Sequence, residues 1–132
     1  DIFKSFKKKL LIIFIILSFL LSLIMSIFSN ELIWLVMGES NDRIDLLLRL
    51  FSIIIFLSTM NTVIARIMYA MGLQKELNNT YSISAMIFIV LSVPLTIAYH
   101  DVGMTFIVLL SELIIFILNT IRIKNLKRLE RS

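Results

Sequence analysis

The sequence predicts an all-α, polytopic membrane protein with four transmembrane helices arranged as two hairpins. Three observations carry that expectation. Four apolar stretches are each close to the length a bilayer demands. Lysine and arginine collect at the ends that alternating spans would place on one side. Hydrophobic residues make up 59% of only 132 positions, with mean hydropathy +0.98, more apolar side chain than a soluble domain of that size can hide.

The first span, about residues 10–28, contains no charged residue. It is longer than the apolar part of a signal peptide, and no small-residue cleavage site follows before Asn30, so it reads as a retained span. Ser18, Ser22 and Ser26 recur at every fourth position and share a face, a spacing that suits close helix packing. Residues 29–44 form the longest connection, with Asn30, Gly38, Ser40 and Asn41 as turn formers. Inside it, Leu32, Ile33, Trp34, Leu35 and Val36 suit either a short helix lying in the membrane interface or the frayed end of span one.

The second span, about residues 46–71, is framed by Arg49 and Arg66, roughly 26 Å apart along a helix. That is close to a hydrocarbon thickness, so both guanidinium groups can reach the interfaces. Met71-Gly72-Leu73-Gln74-Lys75 supplies a glycine helix stop and a surface lysine. The third span, about 81–99, carries Pro94, which is expected to free a carbonyl and kink the helix. Asp101-Val102-Gly103 is expected to close the last turn, and the fourth span, about 102–121, is interrupted only by Glu112 before a basic tail at 122–132.

Charge sets the expected orientation. Lys4, Lys7, Lys8, Lys9, Lys75, Arg122, Lys124, Lys127, Arg128 and Arg131 fall on one side, whereas Arg43 and Arg49 stand opposite among Glu31, Glu39, Asp42 and Asp45. Both termini are therefore expected in the cytoplasm, with the chain multi-pass in the membrane. The net charge of +4 is explained by topology and calls for no nucleic acid. With no cysteine and one histidine, His100, the chain offers no metal cluster and no thiol chemistry. Glycine-rich phosphate loops and Ser/His/Asp sets are also missing, so no enzyme and no cofactor is expected.

Polar residues inside the spans are the functional candidates. Ser52, Thr59, Thr62, Arg66 and Tyr69 fall within roughly a third of the helix circumference, and Ser58 and Asn61 widen that face. Such a stripe faces other protein or water, because lipid leaves its donors unpaired. Interhelical hydrogen bonding and a hydrated cavity wall are both open readings, with Arg66 favouring the cavity. On the fourth span Thr105, Glu112 and Asn119 are seven apart and nearly aligned. A mid-span carboxylate costs on the order of 2.5–3.5 kcal/mol. Its compensation would come from Arg66 or from uptake of a proton, which makes Glu112 either an ion-coupling group or half of a buried pair.

The run Phe6-Lys7-Lys8-Lys9 entering a span, a short stretch ending in Met37-Gly38-Glu39, and Leu46-Leu47-Leu48-Arg49-Leu50 opening the next span resemble the C-terminal region of bacterial polysaccharide flippases. Met71-Gly72-Leu73-Gln74-Lys75, Val93-Pro94-Leu95, Val102-Gly103 and Ser111-Glu112 continue the resemblance across nearly the whole chain. These are the Wzx-type members of the multidrug/oligosaccharidyl-lipid/polysaccharide exporter superfamily. The resemblance implies a transporter of about twelve helices in two lobes, of which these four spans would be the last. It also implies a lipid-linked substrate, undecaprenyl-pyrophosphate-linked oligosaccharide, moved across the membrane for surface polysaccharide or O-antigen synthesis. The family commonly has small residues after its equivalent of Val102-Gly103, where this chain has Met104-Thr105-Phe106.

On that implication Arg66, and secondarily Arg49, would contact phosphate, while Asn61, Thr59 and Thr62 would meet sugar hydroxyls. The expected partners are the lipid bilayer, the lipid-linked oligosaccharide and the remaining helices of the transporter. An initial Asp1 in place of Met suggests a fragment of a longer protein or a processed chain. Two alternatives stand beside this reading: a multidrug-type exporter of the same superfamily, and a free-standing four-helix membrane assembly or regulatory subunit.

Overall fold

Turn chemistry decides where the long apolar helices stop. In the computed structural model, which describes residues 2–132, four helices follow one another: α1 (Ile2–Ile27), α2 (Ser29–Met37), α3 (Asp42–Ala70) and α4 (Gln74–Glu130). Gly38 ends α2 with φ 74°, a left-handed conformation open to glycine, and its N–H donates to Trp34 O at 2.8 Å. Asn41 starts α3: its Oδ1 accepts from the backbone N–H groups of Arg43 and Ile44, while Asp42 and Asp45 place negative charge in the first turn. Gly72, at φ 75°, closes α3 with the paired bonds of a Schellman motif, Leu73 N–H to Met68 O and Gly72 N–H to Tyr69 O.

The last turn falls one step earlier than the sequence suggests. As one straight rod the 57 residues of α4 would measure about 86 Å. The chain instead breaks at His100, whose φ of 56° and ψ of −130° are non-helical, and Asp101, Val102 and Gly103 already belong to the returning helix. Pro94 sits within helical backbone before that break. The residue type best suited to a positive φ, Gly103, is used for close packing, and the unusual backbone angle falls to a histidine.

Three helices, α1, α3 and α4, are long and apolar enough to cross a membrane. The chain divides into two compact units, one ending at Thr59 and one beginning at Met60. In the first, α1 and α2 run antiparallel to the first part of α3. Ser22 Oγ donates to Ser52 O at 2.6 Å, the rings of Phe19 and Phe56 meet edge to face with centroids 5.6 Å apart, and the Ser29 hydroxyl donates to Asp45 Oδ1. All three pairs are centred close to Met37, so one register runs from α1 through the start of α2. Phe28 N–H still reaches Ile24 O and Leu32 N–H reaches Phe28 O, but Phe28 itself, at φ −99° and ψ 22°, departs from helical backbone and sets α2 off from α1. Residues 29–37 are thus a short helix of their own, not the frayed end of the first.

In the second unit the halves of α4, residues 74–99 and 101–130, are antiparallel about His100. Ser84 Oγ donates to Ser111 O at 3.3 Å and the Arg122 guanidinium donates to Glu76 O. The helix of 101–130 continues through most of the basic tail, so Arg122, Lys124, Lys127 and Arg128 are helical residues.

Burial is inverted relative to a water-soluble fold. The buried position of α1 is Ser18, while most of its leucine, isoleucine and phenylalanine side chains are exposed. In the second unit Thr80, Ser84, Thr105 and Asn119 are buried, and Ile83, Met86, Ile89, Val90, Val93 and Ile97 face outward. Small polar side chains share the interior with Val63, Met68, Leu77, Ile107 and Ile115, and large apolar side chains form much of the outer surface, an arrangement an apolar solvent favours.

Candidate functional site

The second unit gathers the membrane-depth polar side chains into an inner seam and an outer row. The inner seam is built by α3 and the returning half of α4. Asn61 and Met68 are seven apart on α3 and both are buried, which turns that edge of the helix toward the unit's interior. Thr105, Glu112 and Asn119 supply the facing edge of α4: Thr105 and Asn119 are buried and Glu112 is half-buried.

Asn61 Nδ2 donates to Glu112 Oε2 at 2.6 Å and also reaches Glu112 O at 2.9 Å. The carboxyl is therefore held by an amide, and Asn61 is its partner where the depth of Arg66 had suggested an ion pair. Counting residues along two helices gives their heights but not their azimuths, and Arg66 is exposed on another side of α3. Asn61 Oδ1 is buried without a hydrogen-bond partner, as are Nδ2 and Oδ1 of Asn119, which has no exposed surface at all. Thr105 satisfies its hydroxyl locally, donating to Asp101 O at 2.8 Å.

The outer row consists of Thr62, Arg66 and Tyr69, spaced four and three apart on α3 and all exposed. Adjacent helix positions diverge by about 100°, which separates Asn61 from Thr62. The face expected to unite Thr59, Asn61, Thr62 and Arg66 is thus two faces.

Thr59 closes the first unit's part of α3 and donates its hydroxyl back to Ile55 O at 2.9 Å. Arg49 is held within the first unit: its Nε lies 3.1 Å from Asp45 Oδ2 and donates to Ser29 Oγ at 3.2 Å, with about half of the side chain exposed. Asp45 thus receives both the serine hydroxyl and the guanidinium. Among the described residues no three His, Cys, Asp or Glu side chains are grouped to hold a metal ion.

Sequence reading passed over Thr80 and Ser84. Both are buried on the outgoing half of α4 beside Leu77, and their spacing of three and seven from Leu77 was the available signal. No protein-family model, curated protein or solved structure matches the chain.

Proposed function

We propose that this chain is the C-terminal part of a Wzx-type flippase, four membrane spans of a larger transporter that moves undecaprenyl-pyrophosphate-linked oligosaccharide across the bacterial cytoplasmic membrane. The halves of α4 on either side of His100 act as the third and fourth spans, which puts both basic termini on the cytoplasmic side. The observation that carries the reading is the outward Thr62-Arg66-Tyr69 row on a helix long and apolar enough to span the membrane. A guanidinium there has to meet a hydrated cavity, an interface or an anionic partner.

A sugar pyrophosphate does not cross hydrocarbon unaided, so its carrier needs cationic and hydroxyl-bearing walls. Arg66 and Thr62 supply these on the exposed face. Asn61 and Glu112, bonded to each other, hold α3 against α4 behind that wall, and their second role as an ion-coupling site is open to test. The remaining helices of the transporter complete the cavity, because four spans are too few to enclose a lipid-linked sugar chain. The order and spacing of the apolar spans support the same reading.

The test is restoration of surface polysaccharide in a bacterium lacking its flippase. The full reading frame that contains this chain is expected to restore it, and Arg66→Gln in that frame is expected to reduce it at unchanged membrane abundance. Failure of the full frame in several polysaccharide backgrounds would overturn the proposal.

A further inference from the structure

The tip of the first hairpin is apolar on every side. Ser29 and Ile33 of α2 are buried, but its last turn leaves Trp34 63%, Leu35 76% and Val36 81% exposed, with Met37 about half exposed. Four consecutive residues occupy the whole circumference of a helix. This turn is therefore not an amphipathic face awaiting one neighbouring helix. Immediately beyond it the chain becomes polar: Glu39, Ser40, Asp42 and Arg43 are all exposed.

Height along the helix says what surrounds that turn. α2 follows α1 across the non-helical Phe28, and the Ser29–Asp45 pair keeps the register of the Ser22–Ser52 pair below it. From Leu10, the first residue past the lysine run, to Trp34 the rise is therefore at most about 36 Å. A bilayer has ~30 Å of hydrocarbon and ~40–45 Å including its headgroups. With the lysines at one surface, Trp34 falls a few ångströms past the hydrocarbon on the other side, within the headgroup layer. Tryptophan is enriched at that depth because its ring is apolar and its indole N–H can still find an acceptor. The clamp of Ser29, Asp45 and Arg49 ties the base of α2 to α3 at the level where hydrocarbon ends.

We infer that the Trp34-Leu35-Val36 turn is a lipid-binding tip that seats in the glycerol and headgroup layer of the leaflet opposite the basic termini. The partner is the phospholipid interface itself, with the hairpin tip acting as an anchor and Glu39, Asp42 and Arg43 remaining in water above it. This rests on the reading of α1 and α3 as membrane spans.

Trp34 is the chain's single tryptophan, so emission reports this tip alone. The full chain, reconstituted in phosphatidylcholine vesicles, is to be probed with lipids brominated near the glycerol or near mid-chain, and with iodide in the aqueous phase. The expected result is blue-shifted emission, quenched several-fold more by shallow bromine than by mid-chain bromine and weakly by iodide. Strong iodide quenching with little effect of bromine would place the tip in water and overturn the inference. Blue-shifted emission insensitive to every quencher would place it against protein and overturn it equally.

Extraction of the same vesicles with alkaline carbonate separates the two levels: a chain that washes off defeats the membrane reading, whereas a retained chain with an iodide-accessible Trp34 defeats only the anchor. The chain has no cysteine, which permits a second measurement on Val36→Cys and Ser40→Cys. A water-soluble maleimide is expected to label the second many-fold faster than the first, and equal rates would count against the anchor.

Discussion

Gly103 lies so close to the backbone of Leu95 that a Cβ added to it would run into Leu95 O and fall 2.8 Å from Leu95 C. Both contacts are to backbone, which cannot swing aside as a side-chain tip can. The outgoing and returning halves of α4 therefore approach closely just inside the His100 turn. Met104 and Phe106 do not prevent this approach: both are exposed, and Met104 Sδ accepts from Thr96 Oγ1 of the outgoing half at 3.7 Å.

Gly103→Ala is accordingly expected to push the two halves apart and lower stability by about 1–3 kcal/mol, the usual cost of overpacking. Unfolding in mixed micelles of increasing denaturing detergent measures it. A wild-type midpoint would mean that the turn relaxes at no cost.

His100 is expected to behave in the opposite sense. Its φ of 56° with ψ of −130° is glycine territory, where another residue stores about 1–3 kcal/mol of strain. His100→Gly should recover part of that, offset by the greater freedom glycine has when unfolded, for a net gain of about 1 kcal/mol. His100→Val, β-branched at a positive φ, should lose stability. Thermal unfolding of both variants decides the matter, and identical midpoints would sink the strain argument.

Gly72 holds the Schellman closure of α3 at φ 75° with nothing within 4 Å of an added Cβ. Substitution there meets a purely conformational penalty. Gly72→Ala should cost about 1–2 kcal/mol, and Gly72→Asn, which tolerates left-handed backbone, clearly less. If alanine and asparagine cost the same in the detergent titration, the backbone conformation is not what selects glycine at this position.

The elements differ in how far the sequence reveals them, for physical reasons. Long apolar runs need no partner to declare themselves, so the helices containing Leu10, Leu50, Ile89 and Ile107 are legible from local composition. Gly72 is legible because a helix stop is a property of a few neighbouring residues. The last turn is less so: glycine serves both positive φ and close approach, and nothing local in His100-Asp101-Val102-Gly103 tells which use applies. The polar pairs are least legible. Asn61 and Thr62 are neighbours in sequence, and only packing of α3 on the returning half of α4 determines that the first turns inward to Glu112 while the second stays exposed.

The Asn61–Glu112 bond yields the prediction that separates structure from coupling. Asn61 donates and Glu112 accepts at 2.6 Å, so Glu112→Gln retains an acceptor oxygen for the same N–H and should change stability by less than about 0.5 kcal/mol. Asn61→Leu removes the donor and leaves the carboxyl without it, a loss of about 1–3 kcal/mol. A double-mutant cycle with Glu112→Leu should return a coupling near the ~0.6 kcal/mol average of membrane hydrogen bonds and below their ~1.7 kcal/mol maximum. A coupling of zero would mean that the two side chains do not meet in the membrane. In the full reading frame, Glu112→Gln is expected to sustain polysaccharide export with an unaltered dependence on the proton and sodium gradients, because the helix contact survives. Loss of that dependence at unchanged stability would instead assign the carboxyl to ion coupling, since glutamine keeps the contact and gives up only the proton.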